Sequence, residues 1–214
     1  MNESVTVTWL GHSCFKLSYK GFCLITDPYQ DGSVPGYPPL AQSASAVYCS
    51  HGHRDHGAAD KIAPDGKSAP EDFAVEEFTG PHDHHGGARR GMNTIRQFRF
   101  GARKVVHMGD VGCVPEEEIL ERLRGCDLLL LPVGGYYTVD AREAREIWQK
   151  IAPRAVVPMH YRSADPAFGY EVLSGVEDFL ALFPDEQVLR LESDSFTLGP
   201  DEPRGVVLPR FAVS

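Results

Sequence analysis

Apolar and polar side chains alternate at the start of the chain. Val5, Val7 and Trp9 fall on one face, Thr6 and Thr8 on the other, and Leu10 follows. A period of two predicts a half-buried strand. Phe15 and Leu17 continue the alternation, Lys20-Gly21 supplies a tight turn, and Phe22 to Ile25 runs back. The chain therefore opens as an antiparallel meander, and Asp27-Pro28 ends its third strand. Residues 31–45 hold Gly32, Pro35, Gly36, Pro38 and Pro39, which predict an irregular loop. Strand patterns resume at Ala46 to Cys49, Phe73 to Phe78, Thr94 to Phe100 and Lys104 to His107.

The second half changes period. Pro115 followed by Glu116, Glu117 and Glu118 predicts a helix start, because acidic side chains favour the positive end of a helix dipole. Asp140 and Glu143 have capping-box spacing, and Ala144, Ile147, Trp148 and Ile151 form one apolar helical face behind them. Asp127 to Leu131 and Ala155 to Met159 are short apolar runs of the kind covered on both faces of a sheet. Gly175 to Phe183 reads as helical, and Val188 to Leu191 and Val206 to Leu208 as closing strands. Strands first, then helices alternating with buried strands, predict an α/β protein with helices outside its sheets. No linker or low-complexity segment divides the chain, so residues 1–214 are expected to form one domain.

Composition narrows the function classes. The 214 residues carry a formal charge of −9, with 42% hydrophobic and 24% charged residues. That is an ordinary globular balance, and its acidity disfavours phosphate backbones and anionic membranes as partners. Cys14, Cys23, Cys49, Cys113 and Cys126 are odd in number and lack a C-x-x-C pair, so neither a disulfide framework nor a thiolate zinc site is expected. The acidic start leads directly into a strand, and no run of 18 apolar residues occurs. A cytoplasmic protein without a secretory signal or a membrane span is the expectation.

The histidines carry the chemistry. Six of the nine lie between positions 51 and 85, densest in His51-Gly52-His53-Arg54-Asp55-His56-Gly57, directly after a predicted strand. Histidines two apart on a bending loop can turn to one cation, and Asp55 and His56 can reach a second. A merely solvated loop rarely holds three histidines and an aspartate at this spacing. His82-Asp83, Asp110 and His160 stand at the ends of later predicted strands, where loops gather on one edge of a layered fold. His51, His53, Asp55, His56, His82, Asp110 and His160 together supply seven ligands, enough for two tetrahedral or five-coordinate metal ions with Asp110 shared.

These phrases resemble the metallo-β-lactamase superfamily, and in particular its bacterial metal-dependent hydrolases related to ascorbate-6-phosphate lactonase. The resemblance is carried by Trp9-Leu10-Gly11-His12-Ser13, Thr26-Asp27-Pro28, the 51–56 cluster, and His82-Asp83 with Gly86-Gly87 and Arg90-Gly91-x-Asn93-Thr94. It continues through His107-x-Gly109-Asp110-x-Gly112, Leu131-Pro132-Val133-Gly134-Gly135-x-Tyr137-Thr138 and Pro158-Met159-His160-Tyr161. The resemblance implies a four-layer αββα sandwich. It implies one metal on His51, His53 and His82, another on Asp55, His56 and His160, and Asp110 bridging them. His84 and His85 are rivals of His82, with an exposed or pocket-lining loop as their plainer reading. The cofactors would be two divalent ions, zinc first, manganese or iron otherwise.

Two such ions a few ångströms apart can share and aim a hydroxide at a carbonyl or phosphoryl centre. Asp55, Asp110 and His160 would stand at that reaction centre, with Asp55 orienting the hydroxide. Asp27 would fix the tautomer of a ligand histidine from behind, although a turn residue before Pro28 is its plainer reading. His12 would line the pocket or cap a strand turn, and His107 would be a buried structural histidine. Arg89 and Arg90 could take an anionic substrate group with forked donors, or be solvated charges. Tyr136, Tyr137 and Tyr161 could polarise a substrate oxygen or simply pack. The loops at 31–45 and 161–170 are expected to wall the pocket, with Tyr37, Phe168 and Tyr170 as an aromatic lid. The expected activity is hydrolysis of a small, anionic ester, lactone or amide. Phosphodiester cleavage and a non-catalytic metal-binding module are the alternatives. A small-molecule substrate is the expected partner, with no nucleic acid and no membrane, and a homo-oligomer is compatible with this reading.

Overall fold

Two mixed sheets share one apolar core. The computed structural model describes residues 4–200 and 203–211. The first half supplies strands β1 (Val5–Gly11), β2 (Cys14–Tyr19), β3 (Phe22–Thr26) and β4 (Ala46–Tyr48). β5 (Phe73–Pro81), β6 (Met92–Phe100) and β7 (Arg103–His107) follow. Helix α1 (Glu117–Leu123), β8 (Leu128–Pro132), helix α2 (Ala141–Ile151) and β9 (Ala155–Met159) then alternate. The chain closes with α3 (Glu177–Leu180), β10 (Val188–Arg190), β11 (Ser195–Leu198) and β12 (Gly205–Leu208).

One sheet has the order β11-β1-β2-β3-β4, the other β10-β12-β9-β8-β7-β6-β5. Val5, Val7, Trp9 and Leu17 of the first sheet and Ile95, Phe98, Val105 and Leu130 of the second belong to the same buried cluster. The alternation at 5–9 thus faces the second sheet, as a strand buried on one face requires. β8 and β9 are buried along their whole length, which is why they read as unbroken apolar runs.

β7, β8 and β9 are neighbouring parallel strands, joined through α1 and α2. Right-handed crossovers in one direction along a sheet put both helices on the same face, and α1 does pack against α2. The expected capping box is present: Asp140 accepts from the Glu143 amide at 2.9 Å, and Glu143 accepts from the Asp140 amide at 3.0 Å. Ala144, Ile147 and Ile151 are buried beneath the helix. Among the described residues, helical cover of the first half is limited to one short turn at Ala59–Lys61.

Two local expectations change. The helix over 175–183 is regular only at Glu177–Leu180, and its end tightens into i→i+3 bonds from Leu182 and Phe183. No side chain caps its start and Pro184 stops it, so a single turn is all it sustains. β11 was not anticipated; four residues after Asp194 are too few to show a period, and pairing with β1 defines the strand. No helix among the described residues is long and apolar enough to cross a membrane.

Candidate metal centre

Strand direction gathers the site. β1 is antiparallel to β2, β2 to β3, and β3 is parallel to β4. The C-terminal ends of β1, β3 and β4 therefore share one edge, which delivers His12, Asp27 and the 51–56 loop. β5 is antiparallel to β6 and β6 to β7, while β7, β8 and β9 are parallel. Their C-terminal ends deliver His82, Asp110, Tyr137 and His160 to one edge of the second sheet. The two edges meet, because the His51 and His82 rings are 4.6 Å apart.

Ligand atoms of His51, His53 and His82 all lie within 4.8 Å of one another. The same holds for Asp55, His56 and His160, a group that also contains His12, and for His51, His56 and Asp110. Asp110 stands between the groups. Its Oδ2 lies 3.1 Å from Nε2 of both His56 and His160 and 3.4 Å from Nε2 of His82. The seven residues singled out above thus come together from four segments of the chain.

The donor set fits divalent metal ions. Nε2 of His51, of His56 and of His160 is buried without a hydrogen-bond partner, as is Oδ1 of Asp110. The 3.1 Å contacts of His56 and His160 with Asp110 lack the alignment of hydrogen bonds, so these nitrogens aim past the carboxylate. Buried polar groups are rarely left so unless something else satisfies them. Imidazole and carboxylate donors suit zinc, manganese or iron.

Short-range contacts hold the donors from behind. Asp27 accepts from the Ser50 amide and the Ser50 hydroxyl, each at 2.6 Å, and from His56 Nδ1 at 2.8 Å. The Ser50 hydroxyl, its proton committed to Asp27, lies 2.9 Å from His51 Nδ1 and can only accept there. Asp27 and Ser50 thereby place N–H on Nδ1 and a lone pair on Nε2 of both rings. Asn93 donates to the Met108 carbonyl at 2.8 Å and accepts from the Asp110 amide at 2.8 Å, clamping the loop that carries Asp110. Gly109 adopts φ +56 there, and a Cβ would collide with Asn93 and Ser50. His107 spans the two sheets, donating from Nε2 to the Ser13 carbonyl at 2.9 Å and accepting from the Gly109 amide. Asn93 belongs to a motif that carries the resemblance and Ser50 to none, but the role of each depends on partners far along the chain.

The electrostatics keep the carboxylates charged and most of the shifted imidazoles neutral. Burial pushes the Asp110 carboxyl up, but His160 and His56 beside it outweigh that and hold it well below the ordinary range. Burial likewise opposes ionisation of Asp55, and contacts from His12 and His56 reverse the shift. Burial lowers His51 to about 4, with His56 adding to the effect. His56 is the exception: burial lowers it, yet Asp110 and Asp27 together raise it well above 6.5. A metal ion and a proton would compete for Nε2 of this ring.

A cavity of about 250 Å³ opens over the centre, lined by His53, Asp55, His82, Arg90, Asp110, Tyr137 and Tyr170. The Arg90 guanidinium sits 5.1 Å from the Tyr137 ring and 5.9 Å from that of Tyr136. Asp83 is not a ligand. Its carboxylate accepts from the amides of His85, Gly87, Arg89 and Arg90 at 2.7–3.0 Å and folds the loop that presents Arg90. His84 turns outward to Glu143 of α2 at 2.7 Å, which removes it as a rival of His82. A larger cleft of about 550 Å³ at Asp165, Glu192, Asp194, Arg210 and Phe211 contains no histidine, so size does not mark the site.

Several expected pocket residues lie elsewhere. Tyr161 is buried, its ring 5.8 Å from Trp9 and 5.7 Å from Phe168, and it does not line the cavity. The strand ends at Met159, His160 takes a left-handed φ of +55, and the chain beyond it turns Tyr161 into the core. Tyr37 and Phe168 stack at 5.0 Å inside the same aromatic cluster and form no lid. Tyr170 alone of the three reaches the cavity, its hydroxyl donating to the Ser33 carbonyl at 2.8 Å and lying 3.3 Å from Asp55. His12 is fully buried and stands behind the cavity lining, next to His160.

Residues 6–160 match the model of the beta-lactamase superfamily domain. The chain is 26% identical to a UPF0173 metal-dependent hydrolase of Thermoplasma acidophilum, over 86% of this chain and 96% of that protein. It is 30% identical to a UPF0173 metal-dependent hydrolase of Caldivirga maquilingensis, over 72% of this chain and 82% of that one. A crystal structure from Thermotoga maritima, described as a Zn-dependent hydrolase of the metallo-beta-lactamase superfamily, superposes with a TM-score of 0.74 at 27% identity, covering 95% of this chain and 98% of the other.

Proposed function

The chain belongs to the beta-lactamase superfamily, and from that premise we propose that it is a two-metal hydrolase acting on a small ester, lactone or amide that carries an anionic group. His51, His53 and His82 would hold one divalent ion, Asp55, His56 and His160 the other, and Asp110 both. Ions bound there supply Lewis acidity and bring the pKa of a solvent molecule towards neutrality, to about 7 on zinc.

The protein's own groups do the rest. Asp55 lies at the cavity wall with one oxygen near Tyr170, placed to orient the attacking solvent or accept its proton. Tyr137 and Tyr170 give the cavity an apolar wall with hydroxyl tips. The observation that carries the substrate class is Arg90. Its guanidinium lines the cavity against the Tyr137 ring. A forked cation lining the cavity matches a carboxylate or phosphate on the substrate. The volume limits the guest to a small molecule.

A panel of lactones, aryl esters and amides, each with and without a carboxylate or phosphate, tests this with zinc- or manganese-loaded protein. Selective turnover of the anionic members is expected, and Arg90→Ala should erase the preference by raising their KM. Equal turnover of neutral partners by the wild type would remove the anionic specificity. Turnover of bis-p-nitrophenyl phosphate alone would replace the reading with phosphodiester cleavage. Inactivity across the panel would leave a non-catalytic metal-binding module.

A further inference from the structure

His12 lies outside the seven ligands, and its surroundings do not satisfy it. The side chain is fully buried, and neither Nδ1 nor Nε2 has a hydrogen-bond partner. Burying both polar atoms forfeits their hydration, and the 3.5 Å approach of Nε2 to Asp55 returns charge attraction but no hydrogen bond. The backbone is also held in a costly shape. His12 has φ +52 in the turn between β1 and β2, a conformation that side chains other than glycine rarely adopt. Gly11 before it has φ +111, where a Cβ would strike the Tyr37 ring. Trp9 locks the turn by donating from Nε1 to the His12 carbonyl at 3.0 Å. Strain and unsatisfied burial at one residue call for a compensating interaction.

The imidazole is aimed at the second metal position. Its ring centroid is 4.2 Å from that of His160 and 5.3 Å from that of His56. Nε2 is 3.5 Å from Asp55 Oδ2, too far and too poorly aligned for a hydrogen bond that would explain its placement. A ligand atom from each of His12, Asp55, His56 and His160 lies within 4.8 Å of the others. Packing alone would be served better by an apolar ring.

We propose that His12 is a direct ligand of the metal ion held by Asp55, His56 and His160. This rests on the two-metal reading above and makes the two positions unequal. The position at His51, His53 and His82 has three histidines and a share of Asp110. The position at His12 has three histidines, Asp55 and a share of Asp110. Five protein donors leave that ion little room for exchangeable ligands and favour a metal that accepts coordination above four, such as manganese or iron, over tetrahedral zinc. The more open position lies on the side where His53 and His82 line the cavity.

The test is Co(II) titration of the metal-free wild type and of His12→Asn, followed by visible absorption and by proton NMR of the cobalt-shifted ring N–H signals. Asn tolerates left-handed backbone, so the variant keeps the turn while losing the imidazole. The wild type should bind two Co(II) and show six shifted ring N–H signals, from His12, His51, His53, His56, His82 and His160. In His12→Asn one binding step should weaken at least about tenfold, since loss of even a supporting partner costs that much. The visible band should change, and one signal should vanish. A dicobalt wild-type spectrum whose shifted ring N–H signals all persist in His12→Asn, so that none belongs to His12, overturns the inference. So does a variant that binds both ions within about twofold of wild type with an unchanged band. If the wild type takes up a single Co(II), the two-metal reading fails, and a spectrum altered by His12→Asn would still support ligation by His12. Uptake of no metal overturns both.

Discussion

The Asp27 carboxylate accepts a 2.8 Å hydrogen bond from His56 Nδ1, with both side chains fully buried. Through this bond a strand-end aspartate sets which nitrogen of a candidate ligand faces the centre. The same carboxylate takes two donors from Ser50, which in turn abuts His51. One buried charge therefore orients a donor in each of the two proposed metal positions.

Asp27→Asn keeps the shape and tolerates the left-handed φ of +42 at this position, but it removes the charge that His56 and Ser50 lean on. Metal affinity should fall about 10–100-fold, as for other partners that orient ligands from behind. Competition with a chromophoric chelator measures this. Unchanged affinity would show that the His56 tautomer is set in another way.

Asp110 touches imidazoles from both groups, so its loss should affect both of the proposed metal positions. Asp110→Ala and His51→Ala should each lose most bound metal and all measurable hydrolysis. Elemental analysis of the purified variants decides; normal metal content in both would contradict the ligand assignment.

Chelation of the wild type should abolish turnover and lower the melting temperature, and added divalent metal should restore both. A ligand at a hundred times its Kd stabilises the folded state by about 2.7 kcal/mol. Full turnover after proven metal removal would refute metal dependence.

Asp83 supplies a pH prediction. Burial opposes its ionisation, but four backbone N–H donors in the 85–90 loop outweigh it and hold the carboxyl well below its ordinary value. A depressed folded pKa gives stabilisation that is complete above the unfolded value of about 3.9 and is lost as pH falls through the folded value. The amide resonances of Gly87 and Arg90 should therefore hold steady from neutrality to about pH 4 and move only below it. Displacement near pH 6 would argue that another group controls the loop.

Asp140→Ala removes the Asp140 half of the α2 capping box, and Asp140 is not among the metal donors. A cost of about 1 kcal/mol is expected, a fall of about 2–4 °C in melting temperature for a chain of this size. Metal stoichiometry should not change. A stability loss within error would mean that helix packing, not the cap, fixes this terminus.

Much of this protein was legible along the chain. The alternation at 5–9, the buried runs at 128–131 and 155–159, and the spacing of Asp140 and Glu143 are local patterns, and each became the element it predicts. The 51–56 cluster announced metal chemistry because its donors are neighbours in sequence, and its motifs resemble a superfamily to which the chain belongs. Convergence was a different matter. His82, Asp110 and His160 reach the cluster because strand polarity puts the C-terminal ends of β5, β7 and β9 on one edge, and polarity is a property of pairing. Tyr161 turned into the core, Asp83 became the hub of a loop, and His12 came to rest beside His160. Sequence adjacency specifies which groups are available; the direction a side chain takes, and what it meets, is decided by register and packing across residues far apart in the chain.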